Sequence, residues 1–174
     1  MKIIKYFIEF IFILMLFFIF KIIGYKFASN LGSIIVRFSG PFFRSKKKII
    51  SNIVQSLKNT DEKNAKLIID EMWSNYGRIL SEYVFMKNFR NSELNNFLNI
   101  EGLEILKEIK EKNEQVIFIS GHFNNFELMA MQIEKSGINL AAIYRPLNNI
   151  FLNKIMEFIR KKYICKNQIK KGTS

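Results

Sequence analysis

Residues 116–146 read VIFISGHFNNFELMAMQIEKSGINLAAIYRP. The apolar run at 116–120 suits a fully buried strand, residues 124–136 carry helical periodicity that stops at Gly137, and 139–144 suit a second strand. Strand, helix and strand at this spacing predict a βαβ unit. Such units build parallel sheets with helices on their faces, and chemistry collects just beyond the carboxyl ends of the strands. The first strand ends at Gly121-His122 and the second at Arg145-Pro146, so the chain's one histidine and an arginine fall where a site is expected.

His122 and Glu127 are about 140° apart around an ideal helix, so they can cooperate only if the histidine precedes the helix. The strand end places it there. With Asn124 as N-cap, Glu127 is the third helical residue, where its carboxylate can reach back and orient an imidazole. The pair then forms a His/carboxylate dyad. A purely structural alternative has its own mechanism: Asn-x-x-Glu is close to a capping box, in which Glu127 ties down the Asn124 backbone. By the residues alone, Asn125 and Asn149 are equally well explained as helix caps and Arg145 as a solvated loop charge.

The flanking sequence extends the same α/β pattern. Residues 97–100 suit a short strand and 103–111 a helix. After Arg145 a further helix carries Phe151, Leu152, Ile155, Met156 and Ile159 on one side, with Arg160, Lys161 and Lys162 at its negative end. Upstream, Asn59 or Thr60 opens a helix with Asp61 and Glu62 in its first turn, running to about Met86. Its apolar positions, Leu67, Ile68, Met72, Trp73, Tyr76, Ile79, Leu80, Tyr83 and Val84, suit core packing.

The N-terminus differs in character. Residues 3–25 are nearly all Ile, Phe, Leu, Met or Tyr, and a helix of about 20 residues crosses a bilayer's hydrocarbon layer. A membrane-spanning helix fits better than a cleaved signal peptide, because the run continues into bulky Tyr25-Lys26-Phe27 without a small-residue cleavage site. A buried core helix is the competing reading, but this short chain offers little to wrap a helix apolar all round. Lys21, Lys26, Arg37, Arg44, Lys46, Lys47 and Lys48 follow the run, which puts the bulk of the chain on the cytoplasmic side. Phe27, Leu31, Ile34, Ile35 and Phe38 recur at helical spacing, with six basic residues and no acid between Phe27 and Thr60. That composition suits a helix on anionic lipid, or an amphipathic helix packed on the domain. Gly40-Pro41 ends it, and a second amphipathic run carries Ile49, Ile50, Ile53, Val54 and Leu57.

Composition narrows the classes. The 174 residues suffice for one domain with a core, and 49% hydrophobic with 24% charged residues excludes a disordered acidic chain. Lys and Arg number 27 against 15 Asp and Glu, a net charge of +12 that favours anionic partners. Nucleic acid is disfavoured by the apolar N-terminus and the lack of a Lys/Arg-Gly-Phe ribonucleoprotein motif. One cysteine, Cys165, excludes an internal disulfide, and with one histidine a His/Cys metal site lacks ligands, so no metal and no cofactor are expected.

The stretch ISGHFNNFELMAMQIEKSGINLAAIYRPLNN resembles the bacterial lipid A biosynthesis acyltransferases, the lauroyl/myristoyl family of the lysophospholipid acyltransferase superfamily marked by His-x4-Asp/Glu. Trp73, Asn75, Gly77, Arg78 and Glu82, then Glu101-Gly102, match further family motifs in order. The dyad motif departs from the usual His-Phe-Gly-Asn-Trp-Glu with Asn124 for glycine and Phe126 for tryptophan. Tyr144, Arg145, Pro146 and Asn149 are kept, while Asn153 stands where an aspartate is common.

The resemblance implies a glycerolipid acyltransferase-like α/β fold, in an N-terminal portion a little over half of the family length. A membrane anchor is expected over 1–26, a helical membrane-proximal segment over 27–90, and an incomplete catalytic core with a partial parallel or mixed sheet over 91–174. It also implies transfer of a fatty acyl group from an acyl carrier protein (or CoA) thioester to a hydroxyl of an anionic glycolipid, a lipid A precursor, at the bacterial inner membrane. His122 is then the general base and Glu127 its orienting partner. Arg145, Asn125 and Asn149 become substrate-binding candidates, with Arg145 on a lipid phosphate or the oxyanion, and backbone N–H groups around Asn124 and Asn125 able to serve the oxyanion instead. An inactive membrane-anchored remnant, or an acyltransferase for another glycolipid, are the alternative readings.

Overall fold

The computed structural model describes residues 1–57 and 61–172. The elements in chain order are α1 (Lys2–Ile23), α2 (Tyr25–Ser39), α3 (Lys46–Ser56), α4 (Glu62–Glu82), α5 (Met86–Arg90), α6 (Leu103–Lys112), α7 (Glu127–Lys135), β1 (Ala141–Tyr144), α8 (Ile150–Ile159) and β2 (Asn167–Lys170). Short 3₁₀ turns lie at Gly40–Phe42, Tyr83–Phe85 and Asn95–Phe97, and a π-turn at Arg160–Ile164. The described residues are mostly helical with one parallel strand pair. It divides into two compact units, Phe17–Val84 and Met1–Leu16 with Phe85–Ser174.

The unit Phe17–Val84 is built on α2 against α4. Asp61 caps α4 by accepting from the Asn64 N–H at 2.7 Å, whereas the expected start at Asn59 or Thr60 lies outside the described residues, as do Thr173 and Ser174 at the end of the 91–174 segment. The predicted row is core in part: Tyr83 is buried and Met72, Trp73, Ile79, Leu80 and Val84 are half-buried, whereas Leu67, Ile68 and Tyr76 are exposed, and Ala65, Ile69, Ser74, Gly77 and Ser81, outside that row, are buried. The cause is close approach. A Cβ on Gly77 would sit 2.0 Å from the Gly32 carbonyl oxygen, and one on Gly32 would sit 2.4 Å from the Gly77 carbonyl oxygen. Small residues are needed where two backbones touch, so Gly32 and Gly77 occupy the point of contact.

The Trp73-to-Glu82 stretch is the hardware of this crossing. Trp73 lies flat against Gly40, and the Ser33 and Ser74 hydroxyls bond at 2.8 Å in the interior. Arg78 donates to Ser29 Oγ at 3.3 Å and Asn30 Oδ1 at 3.0 Å, and the Tyr25 hydroxyl donates to Glu82 at 3.3 Å.

In the other unit, β1 and β2 pair in parallel from Ala141 with Asn167 to Tyr144 with Lys170, joined by α8 and the π-turn. Met86, Phe89, Met131, Ile164 and Cys165 form its fully buried centre. A βαβ unit is therefore present, one step further along the chain than predicted. Residues 116–120 form no strand, and Ile117 and Ile119 are 90% and 93% exposed. An apolar run becomes a strand only when a neighbour takes its backbone hydrogen bonds, and among the described residues the one strand pair is β1 with β2. Residues 97–100 likewise form no strand; they follow the 3₁₀ turn Asn95–Phe97.

Candidate active site

The loop between residues 120 and 127 turns more sharply than the capping pattern requires. Asn124 takes a left-handed φ of 47°, a conformation asparagine tolerates better than most residues, and its carbonyl accepts from the Phe126 N–H at 3.1 Å. Helix α7 therefore begins at Glu127 with Phe126 as N-cap, so the expected cap at Asn124 and the capping box built on it are not formed. Asn125 is half-buried, and its carbonyl accepts from the Leu128 N–H at 3.0 Å.

Glu127 occupies the first position of α7, where the helix dipole favours a carboxylate. Its side chain is only 7% exposed and is held by Arg160, whose Nε and second terminal nitrogen donate to Oε1 at 2.8 and 2.5 Å. Arg160 opens the π-turn after α8, 33 residues along, and its guanidinium also faces the Tyr144 ring at 5.9 Å from the centroid. The sequence places Arg160 only at the negative end of a helix, with no partner named. Nothing in the local pattern announced the pair, because a helix-to-helix ion pair has no periodicity of its own.

The network continues from Tyr144. Its hydroxyl donates to Glu157 Oε1 at 2.6 Å, and Asn153 donates to the same oxygen at 2.8 Å while its Oδ1 accepts from the Leu147 N–H at 2.8 Å. The Tyr144 hydrogen bond, then that from Asn153, holds the Glu157 carboxyl below its ordinary value, and the same bond raises Tyr144. These contacts fix the turn that carries Arg145, which is exposed. Asn149 caps α8, its Oδ1 accepting from Phe151 N–H at 3.1 Å and Leu152 N–H at 3.2 Å. Its amide donates to the Tyr6 carbonyl at 2.9 Å and to Glu9 at 3.1 Å in α1. All of Asn149's ordinary hydrogen-bonding positions are thus used within the protein.

His122 is exposed at the loop, with its ring edge-on to Phe126 at 4.3 Å between centroids. His122, Phe126, Glu127, Tyr144 and Arg160 line one cleft of about 970 Å³. That volume lies in the range of small-molecule and cofactor sites. The structure thus brings His122 and Glu127 to one cleft, engages Glu127 with Arg160, and leaves Asn125, Arg145 and Asn149 off its walls.

Residues 1–166 match the family described as bacterial lipid A biosynthesis acyltransferase. The chain belongs to that family. Over 128 residues it is 22% identical to the lipid A biosynthesis myristoyltransferase of Escherichia coli (strain K12), covering 73% of this chain and 40% of that protein. The lipid A biosynthesis acyltransferase 1 of Shigella flexneri is similar at the same identity and coverage. The acyltransferase 2 of Shigella flexneri is 32% identical over 63 residues, which are 36% of this chain and 20% of that relative. The matched stretches cover 40% or less of the length of these relatives. No solved structure matches it significantly. The Trp73, Gly77, Arg78 and Glu82 positions that carry the resemblance belong to the α2–α4 crossing rather than to the cleft.

Proposed function

We propose that the chain carries the acyl-transfer site of a membrane-bound lipid A acyltransferase, with a glycerolipid acyltransferase-like fold. His122 acts as general base, removing the proton from a hydroxyl of the lipid A precursor as the oxygen attacks the thioester carbonyl of an acyl carrier protein (or CoA) donor. The new ester forms as the carbon–sulfur bond breaks, and the imidazolium returns its proton to the departing thiolate. Glu127 orients the imidazole and stabilises its charged form. A carboxylate offers about four acceptor sites, so pairing with Arg160 is compatible with that task. Arg145, exposed after β1, meets a phosphate of the acceptor. Asn125, next to the cleft-lining Phe126, contacts substrate, and backbone N–H groups around it serve the oxyanion. Asn149 holds the Arg145 turn in position for substrate through its cap.

The observation that carries this reading is that His122 and Glu127 line one cleft in a chain of this family. Helix α1, with 22 residues, is the one helix among the described residues long and apolar enough to cross a membrane. It supports an anchor in the inner membrane, with the site on the cytoplasmic side; the bonds from Asn149 to Tyr6 and Glu9 hold the first turns of α1 against the domain, outside the hydrocarbon layer.

The test uses membranes carrying the chain, a lipid A precursor and an acyl–acyl carrier protein, with acylated product as readout. His122→Ala is expected to lower turnover by about 10²–10⁴-fold at equal expression. Undiminished transfer in that variant removes His122 as base. Absence of turnover by the unaltered chain favours the inactive remnant.

A further inference from the structure

Helix α2 has two opposed faces. Ala28, Ser29, Gly32 and Ser33 are buried, the small-residue side of the α4 crossing. Phe27, Leu31, Ile34 and Phe38 fall within about 60° of arc on the other side, at 100° per residue. Phe27, Ile34 and Phe38 are exposed. The stripe leads into the Gly40–Phe42 turn, where Phe42 and Phe43 are 90% and 82% exposed. Arg44, Lys46, Lys47 and Lys48 follow at once, all exposed. Arg37 pairs with Glu71 of α4 at 3.7 Å, and that carboxylate is itself exposed.

Three bulky side chains in a row on a helix, then two adjacent phenylalanines, are costly in water and have no use in the α2–α4 crossing. Apolar side chains bordered by cations, without acids in the same segment, match the boundary between headgroups and acyl chains of an anionic leaflet. Connectivity supplies the second argument. One residue, Gly24, separates α1 from α2, so a chain anchored by α1 starts α2 at the bilayer face.

We propose that this surface is a second membrane contact, distinct from α1: the α2 stripe and the Phe42-Phe43 corner enter the interface of an anionic phospholipid bilayer, while Arg44, Lys46, Lys47 and Lys48 engage its phosphates. The contact requires no acyl-transfer chemistry. It goes beyond the activity proposed above and stands or falls separately from it.

The test places an environment-sensitive fluorophore on the full chain through F43C, since the native Cys165 is fully buried and resists labelling. The labelled chain is reconstituted into phosphatidylglycerol–phosphatidylcholine vesicles, or into phosphatidylcholine alone, with nitroxide-labelled lipids as quenchers. The expected result is a blue shift and strong lipid quenching in the anionic vesicles. Both are lost in the neutral ones, and in the F43C chain that also carries R44Q, K46Q, K47Q and K48Q. A label at the exposed Lys66 of α4, through K66C, remains unquenched. The proposal is overturned if the label at 43 stays water-accessible in anionic vesicles, or is buried equally without anionic lipid. Protection that needs high protein concentration and no lipid assigns the surface to a second copy and overturns it too. None of these readouts involves the lipid A precursor, so their failure leaves the acyl-transfer reading untouched.

Discussion

Arg160 closes on the Glu127 carboxylate from a π-turn 33 residues away, with the two side chains only 14% and 7% exposed. Two charges removed from water are tolerated because each satisfies the other. Deleting one leaves the other stranded, which typically costs about 3–5 kcal/mol, whereas replacing both with apolar groups of similar size is often neutral. Arg160→Met is therefore expected to destabilise by roughly that amount, and Glu127→Leu with Arg160→Met to recover most of it. Urea unfolding in detergent followed by far-ultraviolet circular dichroism measures both. Equal stability in Arg160→Met and the unaltered protein would show that the pair is not buried as described.

The α2–α4 crossing predicts a different kind of sensitivity. A methyl group at Gly77 meets the Gly32 backbone rather than a movable side chain, so no rotamer change relieves it. Overpacking of this kind costs about 1–3 kcal/mol or more, and Gly77→Ala is expected at the upper end. Trp73, the one tryptophan, packs on Gly40 in the same unit and reports unfolding there by its fluorescence. An unchanged denaturation midpoint in Gly77→Ala would mean that the helices do not approach so closely.

These two contacts mark where the sequence was legible and where it was not. The α1 and α2 helices, the break at Gly40-Pro41, the α6 span and a strand ending at Tyr144 follow from periodicity and breakers, which are local. Strand pairing is not local: 116–120 has the stronger apolar pattern, yet Asn167–Lys170, polar at three of its four positions, is the strand that pairs with β1. The α4 face was legible in part: Met72, Trp73, Ile79, Leu80 and Tyr83 are at least half-buried, but apolar periodicity also rewards the exposed Leu67 and Tyr76, while close helix contact rewards Gly77 and Ser81. His122 and Glu127 line one cleft although the strand expected before His122 does not form, and Asn124's left-handed turn and Arg160's pairing depend on tertiary contact.

Tyr144 and Glu157 give a prediction in pH. The hydroxyl bond keeps the Glu157 carboxyl below its ordinary 4.5 in the folded protein, so its contribution to stability is present above that value and fades as pH falls through the lowered one. Tyr144 is raised above its ordinary 10.0, so its contribution is complete below 10.0 and fades as pH rises through the raised value. Tyr144→Phe is therefore expected to be less stable than the parent at neutral pH, with the gap narrowing in acid. Thermal midpoints of the two proteins across an acid-to-neutral series measure it. A gap that is constant with pH would separate the hydroxyl from Glu157.

Asn149 gives the last prediction, because two substitutions there separate its two jobs. As cap it accepts from Phe151 and Leu152, and as tether it donates to Tyr6 and Glu9 of α1. Asn149→Ala loses both, with about 1 kcal/mol for the cap and a further 1 kcal/mol or so for the lost donor contacts. Asn149→Asp keeps a good cap but removes the donors and sets a second carboxylate beside Glu9, whose other ionic partner is Lys5 at 3.8 Å. The aspartate variant should therefore retain α8 yet release the first turns of α1, seen as faster amide exchange around residues 6–9 with little change in residues 150–159. If both variants loosen α8 equally, the cap is the whole of what Asn149 does, and its bonds to Tyr6 and Glu9 carry no weight.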